Sequence, residues 1–279
     1  MPNQNTPLRV SRRAFGAMEG VRTLFGDDRV PVEAILAGAD QMLMPPDLVV
    51  AIGGVRDAVA SGEITEERLD ESVRRILAQK LRRGLFEQVH VDPATAADAI
   101  GTARSVRTAQ KIADDALTLI ADDAGAIPLA KGATVLVTGV GTAAKMDVAA
   151  QALLAHGLHA TPLASATPEQ AAAAAADVDV ALVFTSSSAF TTPASQVAVV
   201  TALAATGTPV VHVSLRNPYD VVHVGEVAAS LAAYGNSDCN LEAVAGALAG
   251  DVTLRGSLPV TIPQADGTGE AYPLGHGLR

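Results

Sequence analysis

Four polar loops and a handful of carboxylates are the features of this chain whose residue types could do chemistry. The stretch "TGVGTAA" (residues 138–144) follows an apolar β-branched run and opens an Ala-rich one, as in loops whose backbone N–H groups cradle a phosphate. It lacks a third glycine position, and no acidic residue ends a second strand about 20 residues further on, as a dinucleotide fold requires. A tight strand-to-helix turn is the expectation for Gly139 and Gly141. The stretch "SSSAF" (residues 186–190) also follows an apolar run, where ligand loops gather in parallel sheets. It is not a G-x-S-x-G nucleophile elbow, and no histidine stands in a partner position, so it reads as a polar contact loop or a helix cap. "NPYDV" (residues 217–221) is built for a rigid turn. "NSDCNLEA" sets Asn236, Asp238 and Asn240 before a helix, where Asp238 serves as a ligand contact or as a cap.

Metal, disulfide and cofactor chemistry find little support. Cys239 is the only cysteine, which excludes an internal disulfide and a cysteine-rich metal site, and a buried inert thiol is its default reading. The six histidines are scattered, and His156 and His159, three apart, are separated by Gly157, which ends a helix between them. His212 alternates with Val211 and Val213 and reads as a satisfied sheet histidine. No metal and no cofactor is expected.

Composition narrows the function classes. A net charge of −10 and an aromatic share of 3% argue against nucleic acid, which needs clustered cations or stacking platforms. No run of 18 apolar residues exists; the best, Ala171 to Phe184, is broken by Asp177 and Asp179, so no membrane partner is expected. "SRRAFGAMEG" (residues 11–20) has the spacing of a twin-arginine export signal, but Glu19, Arg22, Asp27, Asp28 and Arg29 leave no apolar segment behind it. As written, the chain reads as cytoplasmic.

The elements that must position these loops are legible from period and caps. Residues 1–29 read as a loose segment. Pro31 suits the first turn of a helix that stops at Gly38; "ADQMLM" (residues 39–44), ended by Pro45 and Pro46, reads as a buried strand. A helix follows near 48–60. The next opens with Thr65 as N-cap, repeats Leu69, Val73, Ile76, Leu77 and Leu81 as one stripe, and closes at Gly84. A polar joint, "EQVHVDPAT", separates this part from one long Ala-rich helix reaching about Asp115. Beyond it, apolar runs at 117–120, 134–137, 180–184, 210–215 and 229–234 alternate with helices near 143–156, 168–176, 194–206 and 238–249. This alternation predicts an α/β fold with a parallel sheet covered on both faces.

Several long segments, in order, carry a resemblance: "AGADQMLMPPD", "ITEERLDESVRRILAQKLRRGLFE", "VVHVSLRNPYDV", "GSLPVTIP" and "YPLGHGL". The chain resembles glycoside hydrolase family 3 from about Gly20 to its end, and most closely the β-N-acetylhexosaminidase and β-glucosidase branches. The resemblance implies an incomplete C-terminal remnant of a (β/α)8 barrel over residues 30–90, then a linker helix over 91–116. An αβα sandwich with a mostly parallel sheet would occupy 117–279. It implies Met44, Ser187 and Asp238 as substrate contacts, a carbohydrate as partner, and self-association through the incomplete barrel.

The resemblance also says where catalysis should reside. Retaining glycosidases need two carboxyl groups roughly 5–5.5 Å apart. In this family the nucleophile is an Asp in a motif like "VTDALxMxGV". Setting Met18, Gly20 and Val21 on the end of that motif places Ala14 at the aspartate, or Gly16 if two residues are deleted. The chain has no acidic residue before Glu19. The Asp–His acid/base pair of the hexosaminidase branch would fall upstream of Met1; for the glucosidase branch's second-domain Glu, Glu226 and Glu242 are available but match no motif. No catalytic residue is therefore assigned, and the chain as written is expected to be a truncated, inactive relative of the family's hydrolases.

Overall fold

A computed structural model describes residues 25–87, 90–122, 125–188 and 190–278. Ala14, Gly16 and Glu19 lie outside the described residues. Those described fall into two compact units, divided between Ala96 and Ala97.

In the first unit, the helices that open at Leu48 and Glu66 begin where the sequence supplies caps. Helix α1 is Arg29–Leu36, α2 is Leu48–Ala60 and α3 is Glu66–Arg82. Asp47 accepts from the N–H groups of Val49 and Val50, and Thr65 accepts from that of Arg68, satisfying donors that the first turn leaves open. Gly84, in the left-handed region, follows the end of α3. The core is small: Val32, Ala58 and Ile64, with Ile35, Val55, Val59 and Leu69 packed against them.

The strand expected over 39–44 does not form; that segment is irregular. The reason is visible in its partners. Arg68 of α3 donates to the carbonyls of Ile35 and Ala39, at 3.1 and 3.0 Å. Asp40 receives Ser72 at 2.9 Å and Arg75 at 2.8 Å, and these donors hold its carboxyl below the usual range. Ion pairing to a helix has replaced a sheet ladder.

The single Ala-rich helix expected before the sandwich is two, α4 Pro93–Ala99 and α5 Ala103–Ala116. Gly101 at φ +67° breaks the run, and Thr102 restarts it by accepting from Ser105 N–H.

The second unit is built on six strands: β1 Thr118–Ala121, β2 Thr134–Gly139, β3 His159–Ala164, β4 Val180–Thr185, β5 Val210–Ser214 and β6 Ala229–Ala232. They lie in the order β1-β6-β5-β4-β2-β3; only β1 pairs antiparallel. Alternate residues go to opposite faces. Val135, Val137, Leu182, Phe184, Val211 and Val213 pack with α5, α6 (Ala143–Ala155) and α9 (Asp238–Ala249). Leu136, Ala181, Val183 and Val210 pack with α7 (Pro168–Ala175) and α8 (Ala194–Ala204). The mixed α/β class with a mostly parallel, doubly covered sheet is therefore as the sequence indicates. The apolar runs do not announce β3, an edge strand that carries Pro162 and lacks a fully buried residue.

The last residues close over β1. A short hairpin, β7 Ile262–Pro263 with β8 Glu270–Tyr272, leads to a tail in which Leu278 N–H donates to Leu119 O at 2.9 Å and His276 Nε2 to Ile120 O at 2.7 Å.

Candidate functional site

Strands β2, β4, β5 and β6 run parallel, so their carboxyl ends share one edge, the edge at which open α/β sheets hold ligands. The strand order reverses between β2 and β4. There the glycines are needed for closeness rather than for a cradle. Gly139 has φ +107°, and an added Cβ would stand 2.2 Å from Phe184 O; at Gly141 it would stand 2.6 Å from Met146 Cε. Val140 N–H donates to Phe184 O at 2.9 Å, and Thr142 caps α6. The "GVG" loop is thus a tight turn drawn against β4.

Beside it lies a buried polar cluster that the sequence reading did not assemble. Asp220 sits in a 3₁₀ turn, Pro218–Val222, and is fully buried. Its Oδ2 accepts from Thr185 Oγ1 at 2.7 Å and its Oδ1 from Thr192 Oγ1 at 2.6 Å. Thr185 has given its one proton, so its contact with His212 Nε2 at 2.8 Å must be donated by the ring. His212 Nδ1 then accepts from Ser230 Oγ at 3.2 Å. Burial pushes this imidazole down to about 4, against an upward pull from Asp220, so it stays neutral. The cluster fixes the loops above it. His223 Nε2 donates to Phe190 O at 2.9 Å, Phe190 packs edge-on against Tyr219 and His223, and Gln196 bonds both backbone groups of Ser186.

The residues expected to touch substrate fall in different places. Ser187, 4% exposed, follows β4 at the carboxyl edge. Asp238 opens α9 at the same edge and is ion-paired with Lys145 Nζ at 2.6 Å. The two share that edge, on opposite sides of β5 in the strand order. Met44 belongs to the first unit, where it is 78% exposed and holds a left-handed backbone, φ +52°, directly before Pro45. Such a conformation is unusual for a residue preceding proline.

The two glutamates considered as acids do not stand among these loops. Glu226 precedes β6 and lines an open groove with Pro209 and Ala228 at the amino edge. Glu242 is engaged with His156 Nε2 at 3.0 Å. Cys239 is half-buried rather than enclosed, with Sγ 3.2 Å from Ser237 Oγ. Among the described residues no group of three or more His, Cys, Asp or Glu could hold a metal ion, and no helix is long and apolar enough to cross a membrane.

Comparison with known proteins gives this sheet and its edge a family. Residues 17–279 match the glycosyl hydrolase family 3 C-terminal domain, and the chain belongs to that family. It is related to β-glucosidases and β-N-acetylglucosaminidases. A "Beta-N-acetylglucosaminidase/beta-glucosidase" of Cellulomonas fimi is 29% identical over 270 residues, 87% of this chain and 47% of that protein. A "Periplasmic beta-glucosidase/beta-xylosidase" of Dickeya chrysanthemi is 37% identical over 133 residues, 46% of this chain and 19% of that one. The structure of a family 3 β-N-acetylglucosaminidase from Paenibacillus sp. str. FPU-7 matches with a TM-score of 0.59 at 26% identity, covering 86% of this chain and 48% of that one. The chain spans less than half the length of the curated relatives it matches.

Proposed function

We propose that this chain supplies the sandwich portion of a family 3 glycosidase acting on terminal β-linked N-acetylglucosamine or glucose residues. We propose further that these 279 residues, taken alone, do not cleave glycosides. The substrate class rests on the likeness to the Cellulomonas fimi and Paenibacillus proteins. The observation that carries the inactivity is the missing nucleophile: Ala14 or Gly16 stands in its place, and no acidic residue precedes Glu19. Without a carboxylate pair there is neither a nucleophile nor a proton donor for the leaving oxygen. The purified chain, assayed with aryl β-N-acetylglucosaminide and aryl β-glucoside, should show no turnover above buffer. Turnover of either substrate would overturn the reading; turnover that survives Glu19→Gln would also show that Glu19 is not a displaced nucleophile.

A second reading, carbohydrate binding without cleavage, is favoured by the exposed Asp238 beside Lys145 at the carboxyl edge, a donor and an acceptor that sugar hydroxyls can engage. Calorimetry with N-acetylglucosamine and glucose tests it. Absence of binding heat at millimolar sugar removes this reading and leaves the first standing.

A further inference from the structure

Helices α6 and α9 pack on the same face of the sheet and are held to one another by charges of two different kinds. Near their first turns, Lys145 pairs with Asp238 at 2.6 Å, an ammonium–carboxylate pair. At the far end of α6 the C-cap residue is His156, its side chain 19% exposed. Its Nδ1 lies 2.6 Å from Asp251 Oδ2, in the turn after α9, and its Nε2 lies 3.0 Å from Glu242 Oε1 on α9. The ring passes close over Gly246, where an added Cβ would come within 3.3 Å of its Cε1 and 2.6 Å of Val252 Cγ2.

The geometry specifies a protonation state. An ionised carboxylate only accepts, and a neutral imidazole has one N–H and one lone pair, so it can satisfy one of these two partners and must turn its lone pair on the other. Only the imidazolium donates to both. Its position at a helix C-terminus favours the same cation. We propose that His156 is a proton-operated clamp: charged, it ties the end of α6 to α9 and the following turn; neutral, it releases that end while Lys145 and Asp238 hold the other. Glu242 and Asp251 are the charged groups bearing on the ring. The last turn of α6 contributes none, and His159 at the start of β3 is the next titratable side chain along the chain. The two carboxylates raise the ring's titration above its ordinary 6.5, Asp251 most strongly, against a smaller opposing effect of burial.

The test is an NMR titration of the His156 ring in the full chain, with amide exchange read in the same samples. The expected midpoint lies above 6.5, and Asp251→Asn and Glu242→Gln each bring it down, Asp251→Asn further. The amides of Gly157, Leu158, Asp251 and Val252, which close the two turns at this end, should lose about two- to fivefold in protection as pH passes the midpoint. The amide of Met146, beside Lys145, should not. A midpoint at or below 6.5, a midpoint unmoved by both substitutions, or protection at the four amides that ignores pH would each overturn the clamp. Both substitutions are isosteric; they remove the charge and replace one accepting oxygen by an amide NH2, and the unmodified chain alone supplies the midpoint and the exchange profile if either variant folds poorly.

Discussion

The two units use the same apolar alphabet with opposite results. In the second, the alternation of the central strands β2, β4 and β5 is consumed by a helix layer on either face, and even the polar residues Thr185, His212, Asp220 and Ser230 are enclosed. In the first, the helical pattern is as regular but its burial is not. Of α3 only Leu69, near its start, packs against the small core, while Val73, Leu77 and Leu81 remain exposed, as do Leu48 and Val49 at the start of α2. Periodicity therefore specifies a helix; whether its stripe is covered depends on layers that periodicity does not describe.

The contrast can be broken most directly by truncating one leucine in each unit. Leu182→Ala, in the middle of β4 and 1% exposed, should cost about 2–5 kcal/mol in urea unfolding, whereas Leu77→Ala on α3 should stay within about 0.5 kcal/mol. Equal losses would mean that the α3 stripe is covered after all. The next largest effect is acid sensitivity confined to the second unit. His212 is held neutral with its titration near 4, so below 6.5 the unfolded chain takes up a proton that the folded one refuses. Stability should be fully present above 6.5 and should fall by about 3 kcal/mol as pH drops to 4. His212→Gln should flatten that slope even if it lowers stability throughout; an unchanged slope would place the acid sensitivity elsewhere. A smaller effect distinguishes the first unit: Thr65→Ala removes the cap of α3 and should cost it about 1 kcal/mol, seen as early loss of helical signal while the sheet transition stays in place. Smallest is the opposite pH trend from His156, whose raised titration gives stability present below 6.5 and lost as pH climbs through the higher folded value. As a partly exposed cluster this is worth no more than about 1 kcal/mol, and His156→Gln should abolish it.

Much of the second unit is legible in the sequence because its strands are buried on both faces and its helices carry their own punctuation. The runs at 134–137, 180–184 and 210–215 became β2, β4 and β5 within two residues, and the helices between them begin near the expected positions. What was hidden is what the sheet brings together. Asp220 finds Thr185 and Thr192 35 and 28 residues away, and His156 finds Asp251 and Glu242 at separations of 95 and 86. No spacing rule reaches such distances. An Asp in an otherwise apolar turn was the available signal for the first cluster, and a histidine at a helix end the available signal for the second. The segment 39–44 misled for a different reason. Its composition is that of a strand, but Asp40 and the nearby carbonyls offered α3's arginines a stronger set of partners.

The tail that bonds Leu278 to Leu119 and His276 to Ile120 gives the second unit a guarded flank. A strand with one bare side is a template on which another chain can lay its own. Two carbonyls of β1 are already taken, so a foreign strand would first have to strip residues 276–278 away before it could add to the sheet there.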